Sequence, residues 1–128
     1  SKVMTTFPAG DPFYAPDEAH EQYHRGGRPE LSWREELDAG GTQWPLKAGE
    51  ALFVPLMAPH YVRNADEVSI SLSVTWRSEW SYAEENARNT NRLLRKLGMN
   101  PQSPPQFPNS SALKSNTWRA IRKIGLAE

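Results

Sequence analysis

The stretch Gly49-Glu-Ala-Leu-Phe-Val-Pro55-Leu-Met-Ala-Pro-His60-Tyr-Val-Arg-Asn64 reads as a strand, a tight turn and a second strand. Glu50–Pro55 is a short, mostly apolar run of the length of a core-facing strand. Gly49 and Pro55 bracket it, and Met57-Ala-Pro59 makes the turn. His60 opens the next strand, and Val62, two residues on, shares its face. A neutral imidazole aimed into a small barrel is a suitable ligand for Fe, Zn, Mn or Ni.

Outward from this hairpin the chain continues as strands. Lys2–Phe7 is rich in β-branched and aromatic residues, and Pro8-Ala-Gly-Asp-Pro12 ends it. Residues 16–24 predict a short helix with Asp17 and Glu18 in its first turn. Residues 25–41 are polar and glycine-punctuated, a loop with a turn of helix near Trp33–Leu37. Gln43–Leu46 is a short strand before Lys47-Ala-Gly49. After a turn at Asn64–Glu67, Val68, Ile70, Leu72, Val74 and Trp76 alternate with Ser69, Ser71, Ser73 and Thr75. That is the period of a strand with one buried face.

The period then changes to 3.6. Trp80, Ala83, Ala87, Leu94 and Leu97 form one helical stripe. Ser78, or Ser81 with Glu84, starts the helix; Lys96, Gly98 and Pro101 end it. A linker over 99–110 carries four prolines, and a last helix spans about 111–125 with Leu113, Trp118, Ile121 and Ile124. Strands followed by helices predict a mainly β domain over 1–77 and a helical extension over 78–128.

The 128 residues fit one domain. There is no cysteine, which excludes disulfides, thiol catalysis and thiolate metal sites. No apolar run approaches the length of a membrane span, so no membrane partner is expected and a cytoplasmic location is the default. Residues 1–85 hold 7 Lys+Arg against 14 Asp+Glu, and residues 86–128 hold 8 against Glu128 alone. Such asymmetry suits self-association or an acidic partner for the tail, or, more plainly, a basic tail folded back on the acidic residues.

The hairpin resembles the second conserved motif of the cupins: glycine, then proline six residues on, histidine five further and asparagine four after that. Gly49, Pro55, His60 and Asn64 match in register, and Met57 replaces the motif's inner glycine. The wider run is similar to the JmjC-type branch, and Lys2…Phe7-Pro8 resembles the strand where a JmjC hydroxylase lysine precedes Phe-Pro. This resemblance implies a cupin-type double-stranded β-helix, or jelly roll, ahead of two C-terminal α-helices. It implies Fe(II) and 2-oxoglutarate as cofactors of a full-length parent, with His60 as third metal ligand and Lys2 as the 2-oxoglutarate anchor. Gly49, Pro55 and Asn64 then have structural roles. The family's first two ligands, a His-x-Asp pair, would precede Ser1, so the chain reads as the C-terminal part of a longer cupin. It is expected to hold no cofactor and to lack activity by itself. The resemblance also implies a homodimer through the C-terminal helices, and exposed strand edges favour the same state.

Other patterns compete. His20-Glu21-Gln22-Tyr23-His24 has the spacing of a zincin helix. Pro16 and Gly26-Gly27 crowd it, and its surroundings are polar, so a solvated loop or surface helix is the preferred reading. Arg88, Arg92, Arg95, Lys96, Lys114, Arg119, Arg122 and Lys123 could contact phosphates. They support an alternative function, a non-enzymatic transcriptional regulator that binds a small ligand and touches DNA or protein through basic helices. The plainer account is the solvated face of two amphipathic helices. Trp80 and Trp118 read as core; Tyr14, Tyr23 and Trp33 are candidate pocket residues.

Overall fold

The computed structural model describes residues 1–26 and 31–126; part of the expected 25–41 loop and the last two residues fall outside that range. The elements run β1 (Lys2–Thr6), α1 (Asp17–His24), a 3-10 helix (Glu35–Gly40), β2 (Thr42–Leu46), β3 (His60–Asn64), α2 (Glu79–Lys96) and α3 (Ala112–Lys123). Among the described residues strand accounts for 12% and helix for 36%, so the mainly β, double-stranded β-helix expected from the sequence is corrected. The sheet has three antiparallel strands in the order β2-β1-β3.

Two expected strands enter no ladder: Glu50–Pro55 and Val68–Trp76. Alternation meets only half of what a strand needs, because a ladder also requires a partner edge. In the order β2-β1-β3 neither segment pairs with the outer edge of β2 or of β3. Val68, Ile70 and Leu72 stand 95%, 94% and 90% exposed, where alternation predicted a buried row.

The chain divides into two compact units, residues 1–15 with 31–75, and residues 16–30 with 76–128. In the first, one sheet face is covered. Thr5, Phe7, Ala15, Leu37 and Ala58 are buried. Phe7 stacks on Tyr14 at 5.2 Å between centroids, and Trp33 meets Tyr61 edge to face at 5.2 Å. Gly41 is required here: a Cβ on it would lie 2.6 Å from Thr5 Cγ2.

The hairpin turns explain the motif's glycines. Glu50 N–H bonds Lys47 C=O at 3.2 Å, with Gly49 at φ +86°. Ala58 N–H bonds Pro55 C=O at 3.2 Å, with Met57 at φ +64°. Met57 therefore occupies the left-handed position where a glycine would be unstrained.

In the second unit, α2 packs against both α1 and α3. Ser78 caps α2: its side chain accepts from Ser81 N–H, and Ser81 Oγ accepts from Ser78 N–H at 2.9 Å. The helix ends as the sequence predicts, with Gly98 at φ +80° and Met99 N–H bonded to Leu94 C=O at 3.0 Å. The apolar stripe did not mark the buried surface. Ala87 is buried, but so are Glu84, Asn86, Arg88, Asn89, Thr90 and Asn91, while Leu97 is exposed. Flanked on two sides, α2 buries polar groups and pairs many of them internally, though Asn91 Oδ1 and Arg92 Nε are buried without a hydrogen-bond partner. Asn91 Nδ2 donates to Gln102 C=O at 2.9 Å, and Thr90 Oγ1 to Lys114 C=O at 2.8 Å. Trp118 is buried, as expected.

Candidate functional site

Register puts the two cofactor-binding candidates on one sheet face. β1 pairs Lys2 with Asn64, Met4 with Val62 and Thr6 with His60 on one side, and Lys2 with Leu46, Met4 with Trp44 and Thr6 with Thr42 on the other. Directly opposed residues project to the same side, as do residues two apart along a strand. Lys2, Met4, Thr6, Trp44, His60 and Val62 therefore share a face. Trp44 and Val62 are 42% and 44% exposed, so this face is open where the Thr5–Phe7 side is covered. Lys2 and His60 do not touch. Lys2 and Thr6 are four steps apart along β1, about 13 Å of strand.

Each candidate has a defined local state. His60 Nδ1 lies 3.0 Å from Ala58 C=O. A carbonyl only accepts, so Nδ1 carries a proton, and in the neutral imidazole the lone pair is then on Nε2. That is the tautomer of a histidine ready to ligate through Nε2. Lys2 Nζ donates to Ser71 Oγ, and Thr6 Oγ1 accepts from Trp44 Nε1 at 2.9 Å. Asn64 is exposed beside Lys2. Thr6, Thr42, Trp44 and Phe53 line a recess of about 340 Å³ on this side. A smaller recess, about 120 Å³, is bordered by Tyr14, Trp33, Tyr61 and His60. Tyr14 and Trp33 are thus pocket residues, while Tyr23 belongs to α1 and is 57% exposed.

These residues do not fit an iron centre by themselves. Among the described residues no three His, Cys, Asp or Glu side chains come together to hold a metal. One imidazole supplies one of about three protein ligands that a catalytic metal needs.

The zincin spacing resolves differently from either sequence reading. α1 is a surface helix with Glu18, Gln22 and Tyr23 exposed, but His20 and Glu21 lie on its buried face. Glu21 Oε1 accepts from Arg95 Nε at 3.1 Å, which ties up the carboxylate a protease would use as base. Burial raises the Glu21 carboxyl, and Arg95 offsets this only in part. His24 Nε2 is buried without a hydrogen-bond partner, and burial lowers its imidazole.

The candidate phosphate-binding cations are partly committed elsewhere. Arg88 Nε donates to Glu84 at 2.7 Å and Nη1 pairs with Asp17; Arg95 pairs with Asp17, Glu18 and Glu21. Lys114 Nζ donates to Gln102 C=O, and burial lowers its ammonium. Burial alone would raise Asp17, but hydrogen bonds from Ser103 and Arg88 hold its carboxyl below the usual value. Lys96, Arg119, Arg122 and Lys123 remain exposed, and Arg92 is half-buried. This carboxylate–guanidinium cluster agrees with a basic tail folded back on acidic residues, as the charge asymmetry suggested; the individual pairs, Asp17, Glu18 and Glu21 on α1 with Arg88 and Arg95 on α2, were not read from the sequence.

No helix among the described residues is long and apolar enough to cross a membrane. No family model, curated protein or solved structure matches the chain.

Proposed function

We propose that this chain is a carboxylate-binding module without turnover of its own, one piece of an Fe(II)/2-oxoglutarate-type site that other residues must complete. Lys2 supplies the cation for the carboxylate and His60 supplies one imidazole. The observation that supports this reading is the register: Lys2 and His60 fall on the same open face of the sheet. A Lys ammonium beside a hydroxyl such as Ser71 Oγ offers a carboxylate both charge and a hydrogen bond. The partly apolar wall of Met4, Trp44 and Val62 suits a short aliphatic diacid.

The test is a metal-free titration with 2-oxoglutarate followed by amide chemical shifts. The expected result is weak, saturable shifts at Lys2, Leu46 and Asn64 that disappear in Lys2→Met. Absent shifts, or shifts unchanged by Lys2→Met, sink the reading.

A further inference from the structure

We propose that residues 67–77 pair edge to edge, antiparallel, with the same residues of a second copy of this chain, about a two-fold axis at Leu72. The segment from Val68 to Trp76 enters no ladder, and its apolar residues face solvent: Val68, Ile70, Leu72, Val74 and Trp76 are 68–95% exposed. No charge, proline or glycine occurs from Val68 to Trp76, so nothing that usually blunts a strand edge is present. Lys2 Nζ donates to Ser71 Oγ, which fastens the hydroxyl side and leaves the apolar row outward.

The partner is identified by self-complementarity. Leu72 opposite Leu72 sets Ile70 against Val74, Val68 against Trp76, Ser71 against Ser73 and Ser69 against Thr75. The same register brings Glu67 opposite Arg77 at both ends. Every pair is of a kind that favours cross-strand association: aliphatic with aliphatic or aromatic, hydroxyl with hydroxyl, anion with cation. A one-residue slip would oppose apolar to polar side chains throughout. A two-residue slip would set Glu67 against Thr75 or Glu79, losing the charge pair. Arg77 has room for the added carboxylate, since its side chain remains 48% exposed beside Glu85. The pairing is isologous, so it closes at two copies.

The chain has no cysteine, which makes the test direct. Opposed Cα atoms in an antiparallel pair lie about 4.5–5.5 Å apart, within the span of a disulfide. Mild oxidation is expected to link Leu72→Cys into a covalent dimer at least tenfold faster than Val68→Cys, whose opposite residue is Trp76. In sedimentation equilibrium the wild-type chain should self-associate, and Leu72→Lys should raise the dimer Kd at least tenfold. Glu67→Arg and Arg77→Glu should each weaken the homodimer, and their equimolar mixture should recover it. That mixture is decisive because Arg77→Glu alone also loses the Glu85 pair. A wild-type chain monomeric at millimolar concentration overturns the proposal. So do open-ended assemblies, equal crosslinking of the two cysteine variants, a mixture that fails to recover, or a dimer indifferent to Leu72→Lys. The last result would place the contact elsewhere, as on the exposed Leu113 and Ile124.

Discussion

Arg88 and Glu84 lie one turn apart on α2 and join Nε to Oε1 at 2.7 Å, with only 4% and 6% of their side chains exposed. The other end of the guanidinium meets Asp17 of α1. A cation enclosed with two carboxylates holds α1 against α2. Replacing Arg88 by Met leaves Glu84 enclosed without its cation and leaves Asp17 to Arg95 alone. Breaking such a pair from one side costs about 3–5 kcal/mol. Urea denaturation of Arg88→Met should show a loss of that order; a loss below about 1 kcal/mol would mean that water reaches the site.

His24 sets a pH dependence. Burial lowers its folded value below the ordinary 6.5, and Glu85 opposes this only in part. The unfolded chain then binds the proton more readily than the folded one. Its contribution is complete above about pH 6.5 and declines as pH falls through that value toward the folded one. The urea midpoint of the wild type should drop between pH 7.5 and 5, and His24→Leu should flatten that drop. An unchanged slope in the variant would locate the proton elsewhere.

Two carboxyls act lower on the scale, with opposite signs. Asp17 is held below 3.8, so its contribution is present above that pH and lost as acid protonates it. Glu21 is raised above 4.5, so its protonation favours the folded chain as pH falls toward 4.5. Glu21→Gln removes that gain, so its urea midpoint should fall more steeply than that of the wild type between pH 7 and pH 4. An acid limb that becomes shallower contradicts the assignment.

Met57 stands at φ +64° in the Pro55–Ala58 turn. A side chain there costs about 1–2 kcal/mol of backbone strain, against roughly 0.5–1 kcal/mol of extra chain entropy that glycine carries. Met57→Gly should stabilise the chain by about 0.5–1 kcal/mol. A thermal midpoint that falls would show that the Met57 side chain contributes packing larger than the strain.

Gly41 has the reverse sign. A methyl group 2.6 Å from Thr5 Cγ2 and 3.0 Å from Phe7 Cε1 forces the covered sheet face apart. Gly41→Ala should cost about 1–3 kcal/mol, the usual range for overpacking. The same assay on Gly49→Ala separates the causes, since nothing lies within 4 Å of a Cβ there and only its φ of +86° is offended.

Local rules located the elements that close on themselves. A helix satisfies its own backbone, so capping by Ser78, termination at Gly98 and the extents of α1, α2 and α3 were readable from neighbouring residues. The histidine strand His60–Asn64 appears with the boundaries read from the sequence, as does the start of β1 at Lys2. The site was legible only as residue types. Lys2 and His60 were named as candidates, but their common face follows from the β1–β3 register.

The sequence by itself determined the turns, the caps, the alternation of Val68–Trp76 and the absence of thiol chemistry, because each depends on residues close in the chain or on composition alone. Only the tertiary structure decided how much sheet forms, which face of α2 is buried and where the cations go. Those outcomes depend on partners distant in sequence: a strand needs a free edge, a helix face needs a neighbour, and Arg88 and Arg95 take the carboxylates that folding brings to them. Alternation could promise a strand at Val68–Trp76, but only a second edge can make it one.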